Sequence, residues 1–129
     1  TKIMEFVEAV EYCTELELDG GGWHLPTIGE LRSLIRGCPE TEAGGSCQVG
    51  EGECLAWACK DASCSSCSGW KCSVPDCCAP DRIVGMCGTY FSSSIVDDFQ
   101  NLIWVVNFEH AEIRALPVES SIGWVRCVR

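Results

Sequence analysis

Two stretches near the start of the chain place apolar side chains at helical spacing. Five residues of the segment 3–17 follow this period: Ile3, Phe6, Val7, Val10 and Cys13. The pattern predicts an amphipathic helix over 3–17 that buries Cys13 and turns its glutamates outward. Asp19 and the glycines 20–22 then end this helix.

The second helix has its own start signal. The Thr27 hydroxyl can accept a hydrogen bond at a helix N-terminus, and Glu30, three residues on, completes a capping box. Four apolar residues give this helix one buried face: Ile28, Leu31, Leu34 and Ile35. Gly37, followed by Cys38 and Pro39, is expected to end it.

The last third of the chain changes to a period of two, which is typical of β-strands. Residues 90–94 form a short strand candidate, and 102–109 alternate so that both faces are largely apolar, as in a strand covered on both sides. Residues 111–116 are predicted to return as its hairpin partner across a turn at Glu109 and His110. Residues 122–129 are expected to form the final strand.

Between the helices and the strands, residues 38–88 show no sustained period. A segment of about 50 residues without elements is uncommon in a compact domain unless something other than a core holds it. Ten of the 12 cysteines lie here, and the other two stand near the ends, at Cys13 and Cys127. Disulfides would staple this segment, and bridges persist in an oxidising compartment. We therefore predict a secreted, extracellular or cell-surface protein.

A thiolate metal site is the alternative interpretation of the cysteines. Cys64 and Cys67 have the C-x₂-C spacing of zinc ligands, and His24 and His110 could add imidazoles. A second such pair does not follow in the sequence, so disulfides are favoured. We also expect Cys77 and Cys78 to send bridges in different directions, because a ring between neighbours is strained.

The net charge of the chain limits the kinds of partner that it can bind. The chain has a formal net charge of −10, and residues 1–53 hold 11 acidic against 3 basic side chains. Nucleic-acid binding and attraction to anionic membranes need clustered Lys or Arg, so both are excluded. A run of 18 apolar residues is also absent, which argues against membrane insertion. The element order predicts one α+β domain over 1–129, with two helices, a small mainly antiparallel sheet and a disulfide-stapled irregular insertion at 38–88.

Four separated motifs occur along the chain. They are Trp23-His24-Leu25-Pro26-Thr27 with Glu30-Leu31, Tyr90-Phe91-Ser92-Ser93-Ser94, Trp104-Val105-Val106-Asn107-Phe108, and Val125-Arg126-Cys127-Val128-Arg129. In this order they resemble the motifs of the DUF1566 family, also called the Lcl C-terminal domain after a bacterial collagen-like adhesin. The resemblance implies a bacterial protein with a C-type-lectin-like fold.

In that fold, a cysteine of the first helix is joined to one on the last strand. Carried over by position, the resemblance implies a Cys13–Cys127 bridge. The family also has a strand before its first helix, and this chain begins too late to contain it. The resemblance therefore implies an open sheet edge, which a second copy or another chain could complete.

The ligand surface of this fold lies on loops near the later strands, which directs attention to 95–101 and 109–112. The predicted ligand-binding residues are Asp97, Asp98, Gln100, Asn101, Glu109, His110 and Glu112. Asp97 and Asp98, with amide neighbours, also suit Ca²⁺, which takes six to eight oxygens. Calcium is the one cofactor considered, and the signatures of EF-hands and calcium-dependent lectins are absent.

The sequence does not suggest catalysis. Ser92, Ser93 and Ser94 lack a G-x-S-x-G context, and bridged cysteines are not free nucleophiles. Trp23, Trp104 and Trp124 are interpreted as core aromatics. His24, where the family has Arg, is interpreted as a partly buried hydrogen-bonding residue.

Three functions remain in competition. The leading one is an extracellular binding or adhesion module for a glycan or protein ligand. The second is a structural subunit of an extracellular filament or surface assembly, motivated by the missing strand. The third is a metal-dependent enzyme. The adhesin that names the family is associated with sulfated polysaccharides, and the acidic charge of this chain argues against that ligand.

Overall fold

The computed structural model describes residues 2–50, 52, 54–67, 78–79, 87–119 and 121–129. Within them the helices and strands are, in chain order, β1 (Lys2–Glu5), α1 (Phe6–Glu15), α2 (Ile28–Arg32), β2 (Thr89–Val96), β3 (Phe99–Asn107), β4 (Glu112–Pro117) and β5 (Ile122–Val125). Short 3₁₀ turns lie at Leu18–Gly20, Trp57–Cys59 and Ala62–Ser65. The predicted α+β class with two helices is confirmed.

The strands form one sheet in the order β1-β5-β2-β3-β4. Every neighbouring pair is antiparallel except β2 and β5, which run parallel. The prediction of a mainly antiparallel sheet is therefore confirmed. The last strand is shorter than expected, because the chain leaves β5 after Val125 and Val128 pairs with His24 in an isolated bridge.

The segment before the first helix is a strand, so two predictions about it were wrong. The helix was expected from residue 3, and the first strand was expected to be missing. Instead β1 pairs with β5, with Ile3 opposite Trp124. Ile3 shares the helical spacing of Phe6 and Val7, but hydrogen bonding to β5 outweighs that local pattern.

The second helix begins as predicted and ends earlier. Thr27 N donates to Glu30 Oε1 at 2.9 Å, and Glu30 N donates to Thr27 Oγ1 at 3.1 Å, which completes the capping box. The helix ends at Arg32 rather than at Gly37. Arg36 N donates to Cys78 O at 2.7 Å, so its backbone pairs with the insertion instead of continuing the helix.

The sheet is covered on both faces. On one side, the α1 residues Phe6, Ala9 and Cys13 pack with Ile103 and Val105 of β3. On the other side, α2 and the insertion pack against β3 residues that alternate with these. That second core includes Ile28, Leu31, Val49, Cys47, Cys64, Trp104 and Val106. The predicted burial of β3 on both faces is confirmed, and the insertion supplies much of one covering layer.

The cysteines of the described residues form disulfides. Cys13 is joined to Cys127 with Cα atoms 5.4 Å apart, the pair that the resemblance implied. The other bridges with both sulfurs described are Cys38–Cys67, Cys47–Cys64 and Cys54–Cys59. The zinc alternative is wrong, because Cys64 and Cys67 are bonded to other cysteines.

Cys78 and Cys87 are also disulfide-bonded. The prediction that Cys77 and Cys78 bridge in different directions falls on Cys77, which lies outside the described residues. In the described part of the chain, helices are too short or too polar to cross a membrane.

Candidate functional site

The two loops predicted to bind a ligand lie at opposite ends of β3. The turn between β2 and β3 and the first residues of β3 carry Asp97, Asp98, Gln100 and Asn101. The turn between β3 and β4 and the start of β4 carry Glu109, His110 and Glu112. A strand of nine residues at about 3.3 Å per residue separates the two groups by roughly 25 Å. They therefore cannot form one compact site.

The first group is tied to the insertion by hydrogen bonds. Trp57 N donates to Asp98 Oδ1 at 2.8 Å, and Asp97 N donates to Leu55 O at 3.0 Å. Gln100 Nε2 donates to Asp97 O at 3.1 Å, which braces the turn from the other side. The Asp97–Asp98 turn and the segment 55–57 thus make one continuous surface.

Two exposed aromatic rings lie on this surface. Trp57 lies parallel to Trp104, with ring centroids 6.5 Å apart and an interplanar angle of 17°. Phe99 meets Trp57 edge-on at 6.3 Å. Trp57 and Phe99 are 45% and 47% exposed. We call Trp57, Phe99, Asp97, Asp98 and Gln100 the aromatic surface.

Trp104 supports the aromatic surface from beneath. Its side chain is fully buried, and its Nε1 donates to Leu55 O at 3.0 Å. Leu55 O therefore receives hydrogen bonds from both Trp104 and Asp97. The position of Trp57 is set by a core residue below it and by a turn beside it.

A cavity of about 490 Å³ opens beside the aromatic surface. It is lined by Gln100, Asn101, Pro117, Val118 and Glu119. Val118 N donates to Asn101 O at 2.8 Å, which continues the pairing of β3 and β4 past Pro117. Gln100 belongs to both regions, so the cavity and the rings form one candidate site.

An irregular register turns these polar residues outward. The β2–β3 ladder passes from the pair Ile95 and Ile103 directly to the pair Val96 and Phe99. Three β3 residues lie unmatched between the two pairs, a bulge of the kind often found next to binding sites. Gln100 and Asn101 belong to this bulge, and both are exposed.

The second group of predicted residues is partly engaged in structural contacts. Ser65 Oγ donates to Glu112 Oε2 at 3.0 Å, and Arg114 Nε lies 3.8 Å from Glu112 Oε1. His110 is half-buried, and its Nδ1 atom is buried without a hydrogen-bond partner among the described residues. Glu109 is exposed and caps the turn through its backbone N–H, which donates to Asn107 Oδ1 at 2.9 Å. Glu112 thus links the sheet to the insertion.

In the described part of the chain, one group of three residues brings potential metal-ligand atoms close together. Cys38, Glu40 and Cys67 bring their ligand atoms within 4.8 Å of one another. The two sulfurs form a disulfide, so they are not thiolate ligands. Asp97 and Asp98 do not belong to such a trio, and Asp98 Oδ1 already accepts the Trp57 N–H. Calcium at this pair stays a prediction.

Some aromatic and histidine predictions need correction. His24 is not partly buried: its side chain is 53% exposed, and Nε2 lies 3.9 Å from Glu30 Oε1. Trp104 is a core residue as predicted, whereas Trp23 and Trp124 are half-buried. Trp23 Nε1 donates to Leu18 O at 2.7 Å, and the guanidinium of Arg129 lies 4.9 Å from its ring centroid.

Neither Trp57 nor Phe99 belongs to a periodic pattern in the sequence. Leu55 is the one other large apolar residue of the segment 50–60, and Phe99 directly follows two aspartates. Neither Trp57 nor Phe99 lies in a helix or strand that the periodicity predicts, and only the fold brings the two rings together.

The fold and this site define a disulfide-stapled α+β protein with an exposed aromatic surface beside a cavity lined by two amide side chains and Glu119. No family model, no curated protein and no solved structure matches the chain. The likeness to DUF1566 rests on the four sequence motifs alone.

Proposed function

We propose that the chain is an extracellular carbohydrate-binding module of the DUF1566 type, with a C-type-lectin-like fold and no catalytic activity. The observation that carries this proposal is the position of Trp57. Its ring is half exposed above the buried Trp104, with carboxylate and amide groups at its margin. Sugar rings offer an apolar C–H face and a rim of hydroxyls, and this arrangement complements both.

The rigidity of the surface supports binding. The backbone N–H of Trp57 donates to Asp98, and the Cys54–Cys59 bridge encloses the turn that carries Trp57. A side chain that is already ordered loses less conformational entropy when a ligand binds. Glycan contacts are individually weak, so a preformed aromatic surface contributes more than a mobile one.

The disulfides support an extracellular location for the protein. Four bridges lie within the described residues, and such bridges persist in oxidising surroundings rather than in the cytosol. A secreted or surface-displayed module with this composition would meet glycans of cell walls, capsules or matrices.

The test is a glycan array probed with the oxidised protein and two single variants. We expect the wild type to bind a defined set of glycans. Trp57→Ala should lose about tenfold or more in affinity, as for an aromatic residue that the ligand buries at the centre of an interface. Trp23→Ala removes a half-buried tryptophan from another part of the molecule and is expected to keep binding. Thiol counts and circular dichroism establish that each variant is folded.

Trp57→Phe separates loss of the ring from loss of the fold. It keeps an aromatic face and should retain part of the affinity. A blank array with fully oxidised wild-type protein contradicts the proposal, as does equal binding by wild type and a folded Trp57→Ala.

The second candidate is a subunit of an extracellular assembly. The sequence favoured this role because a first strand was expected to be missing, but β1 is present and pairs with β5. A different observation favours it: β1 is at the sheet edge, and Ile3, Val7 and Val10 are exposed beside it. The outward carboxylates of α1 would repel a second copy of the same face, so the neighbour would present a basic strand.

Light scattering of the protein alone and with such a partner tests this candidate. Ile3→Lys places a charged side chain on the edge and should abolish association. A mass that stays monomeric in every mixture contradicts an assembly role.

A further inference from the structure

We infer that the aromatic surface selects a cationic glycan, an amino-sugar polymer with free protonated amines, an assignment that rests on the function proposed above. The charges around the rings carry this inference. Asp97 and Asp98 flank them, and Glu119 lines the adjoining cavity. All three carboxylates are exposed. Lys and Arg are absent from the residues that form the aromatic surface and from those that line the cavity.

The ion pairs of the described residues do not include these carboxylates. The two ion pairs among the described residues are His24 with Glu30 and Arg114 with Glu112, and neither involves the aromatic surface. Asp97 makes its hydrogen bonds to Leu55 and Gln100 through backbone atoms. Its carboxylate is therefore open to a ligand, as is the Oδ2 atom of Asp98.

Of the described basic residues, Lys60 and Arg114 are the nearest in sequence to the aromatic surface, and the charged groups of both lie near Glu112, at the other end of β3. Lys60 Nζ donates to Ser65 Oγ at 3.3 Å, and that hydroxyl donates to Glu112. Arg114 lies against the same glutamate. These two basic side chains of the described residues therefore do not neutralise the negative charge of the aromatic surface.

An amino sugar matches both features of this surface. Its ring can stack on Trp57 while its ammonium group donates to Asp97 or Asp98, and an ammonium near an indole face gains a further attraction. A neutral sugar keeps only the stacking and hydroxyl contacts. A sulfated or uronic-acid glycan brings like charges together and should be repelled.

The expected preference follows from the exposure of the carboxylates. An exposed ion pair changes affinity by about two- to fivefold at low salt, and screening removes most of this at higher salt. Two such pairs give a preference of about tenfold for the cationic glycan over its neutral counterpart.

The experiment is isothermal titration of the oxidised protein with three hexasaccharides of similar length. They are a β-1,4-linked N-acetylglucosamine hexamer, the same hexamer fully deacetylated, and a sulfated uronic-acid hexamer. At about pH 5.5 amines are protonated and carboxylates ionised. We expect the deacetylated hexamer to bind about tenfold tighter than the acetylated one at about 20 mM salt, within about twofold at about 300 mM, and the sulfated one not to bind.

A charge-matched pair of variants locates the effect. Asp97→Asn with Asp98→Asn removes two charges, and the amide oxygen of the new side chain at position 98 can still accept the Trp57 N–H. The control is Glu8→Gln with Glu11→Gln, which removes two exposed carboxylates from α1, away from the predicted ligand-binding loops. The aspartate variant should lose the tenfold preference, and the control should keep it.

The outcomes separate the two proposals. Equal, Trp57-dependent binding of the acetylated and deacetylated hexamers overturns cationic selection and leaves carbohydrate binding in place. No binding of any hexamer, together with a blank array, removes the proposed function itself. Cationic binding that survives Trp57→Ala, or falls equally in the control variant, marks non-specific attraction and overturns the inference. Loss of binding on adding a chelator assigns the aspartates to a metal and overturns it as well.

Discussion

Arg32 Nη1 donates a hydrogen bond of 2.7 Å to the carbonyl oxygen of Val49. Its Nε and Nη2 atoms donate at 2.8 Å to the carbonyl oxygens of Thr41 and Glu42. The residue is 3% exposed. A residue at the end of α2 thus fastens both ends of the segment 41–49 to the core, in a part of the chain where periodic patterning is absent.

Replacing this guanidinium should weaken the whole fold. Arg32→Met leaves three carbonyl groups without their charged donor, and we expect the free energy of unfolding to fall by about 2–4 kcal/mol. Urea denaturation measures the change. Arg36→Met is the control, because Arg36 is exposed, and its loss should cost under about 0.5 kcal/mol. Equal losses in the two variants would show that Arg32 does not hold the segment.

The disulfides should differ in their contribution to the free energy of unfolding, according to the number of residues in the loop that each one closes. Cys13 and Cys127 are 114 residues apart in sequence, whereas Cys54 and Cys59 are 5 apart. The loop-entropy relation gives about 5 kcal/mol for the long loop and about 2 kcal/mol for the short one. Paired Cys→Ala variants and chemical denaturation test this order. A larger loss from removing the short loop would contradict it.

Gly45 has no room for a side chain. A Cβ atom there would lie 2.5 Å from the carbonyl oxygen of Glu40 and closer still to that of Pro39. Gly45→Ala should therefore destabilise the protein by about 1–3 kcal/mol. The matched variant is Gly29→Ala in α2, where the nearest atom is 3.8 Å away and helix propensity favours alanine by about 0.5–1 kcal/mol. Thermal melts should shift in opposite directions, and a shared direction would refute the steric explanation.

Asp61 should titrate below its ordinary range. Its carboxylate accepts hydrogen bonds from the Ser63 hydroxyl and from Ser63 N, and these lower its pKa from the ordinary value of 3.8. The ionised form is thereby favoured in the folded state. Its contribution to stability is present above pH about 4 and is lost as the pH falls through the lower folded pKa.

Ser63→Ala tests the cause of this shift. Removing the hydroxyl should return the Asp61 pKa towards its ordinary value, as measured by NMR titration of the carboxyl carbon. Ser66→Ala is the control, since the Ser66 hydroxyl donates to Ser63 O and not to Asp61. An unchanged Asp61 pKa in Ser63→Ala would exclude the hydroxyl as its main cause.

Sequence patterns that span only a few residues predicted helix starts and strand burial correctly. The Thr27–Glu30 capping box forms as its spacing indicates, and the alternation around Trp104 corresponds to a strand buried on both faces. These elements are decided by neighbours in sequence, so periodicity and capping chemistry suffice to find them.

Features that depend on distant partners were not predictable in the same way. β1 exists because Ile3 meets Trp124, from the far end of the chain. Trp57 is placed by Trp104 and Asp98, which lie beyond the whole of the insertion. No sequence pattern marks Arg32, and the insertion supplies the three carbonyl oxygens that accept its hydrogen bonds. In each case the deciding contact joins segments whose approach no local pattern encodes.

The place of β5 in the sheet has a consequence for biosynthesis. It is the last strand in sequence, yet it lies between β1 and β2. β1 leaves the ribosome before the other four strands and lacks its partner strand until residues 122–125 follow it. The Cys47–Cys64 and Cys54–Cys59 bridges join cysteines that emerge together, so they can be oxidised while translation continues. The bridge from Cys13 to Cys127 must wait until Cys127 has been synthesised, and we expect it to be the last of these four to close.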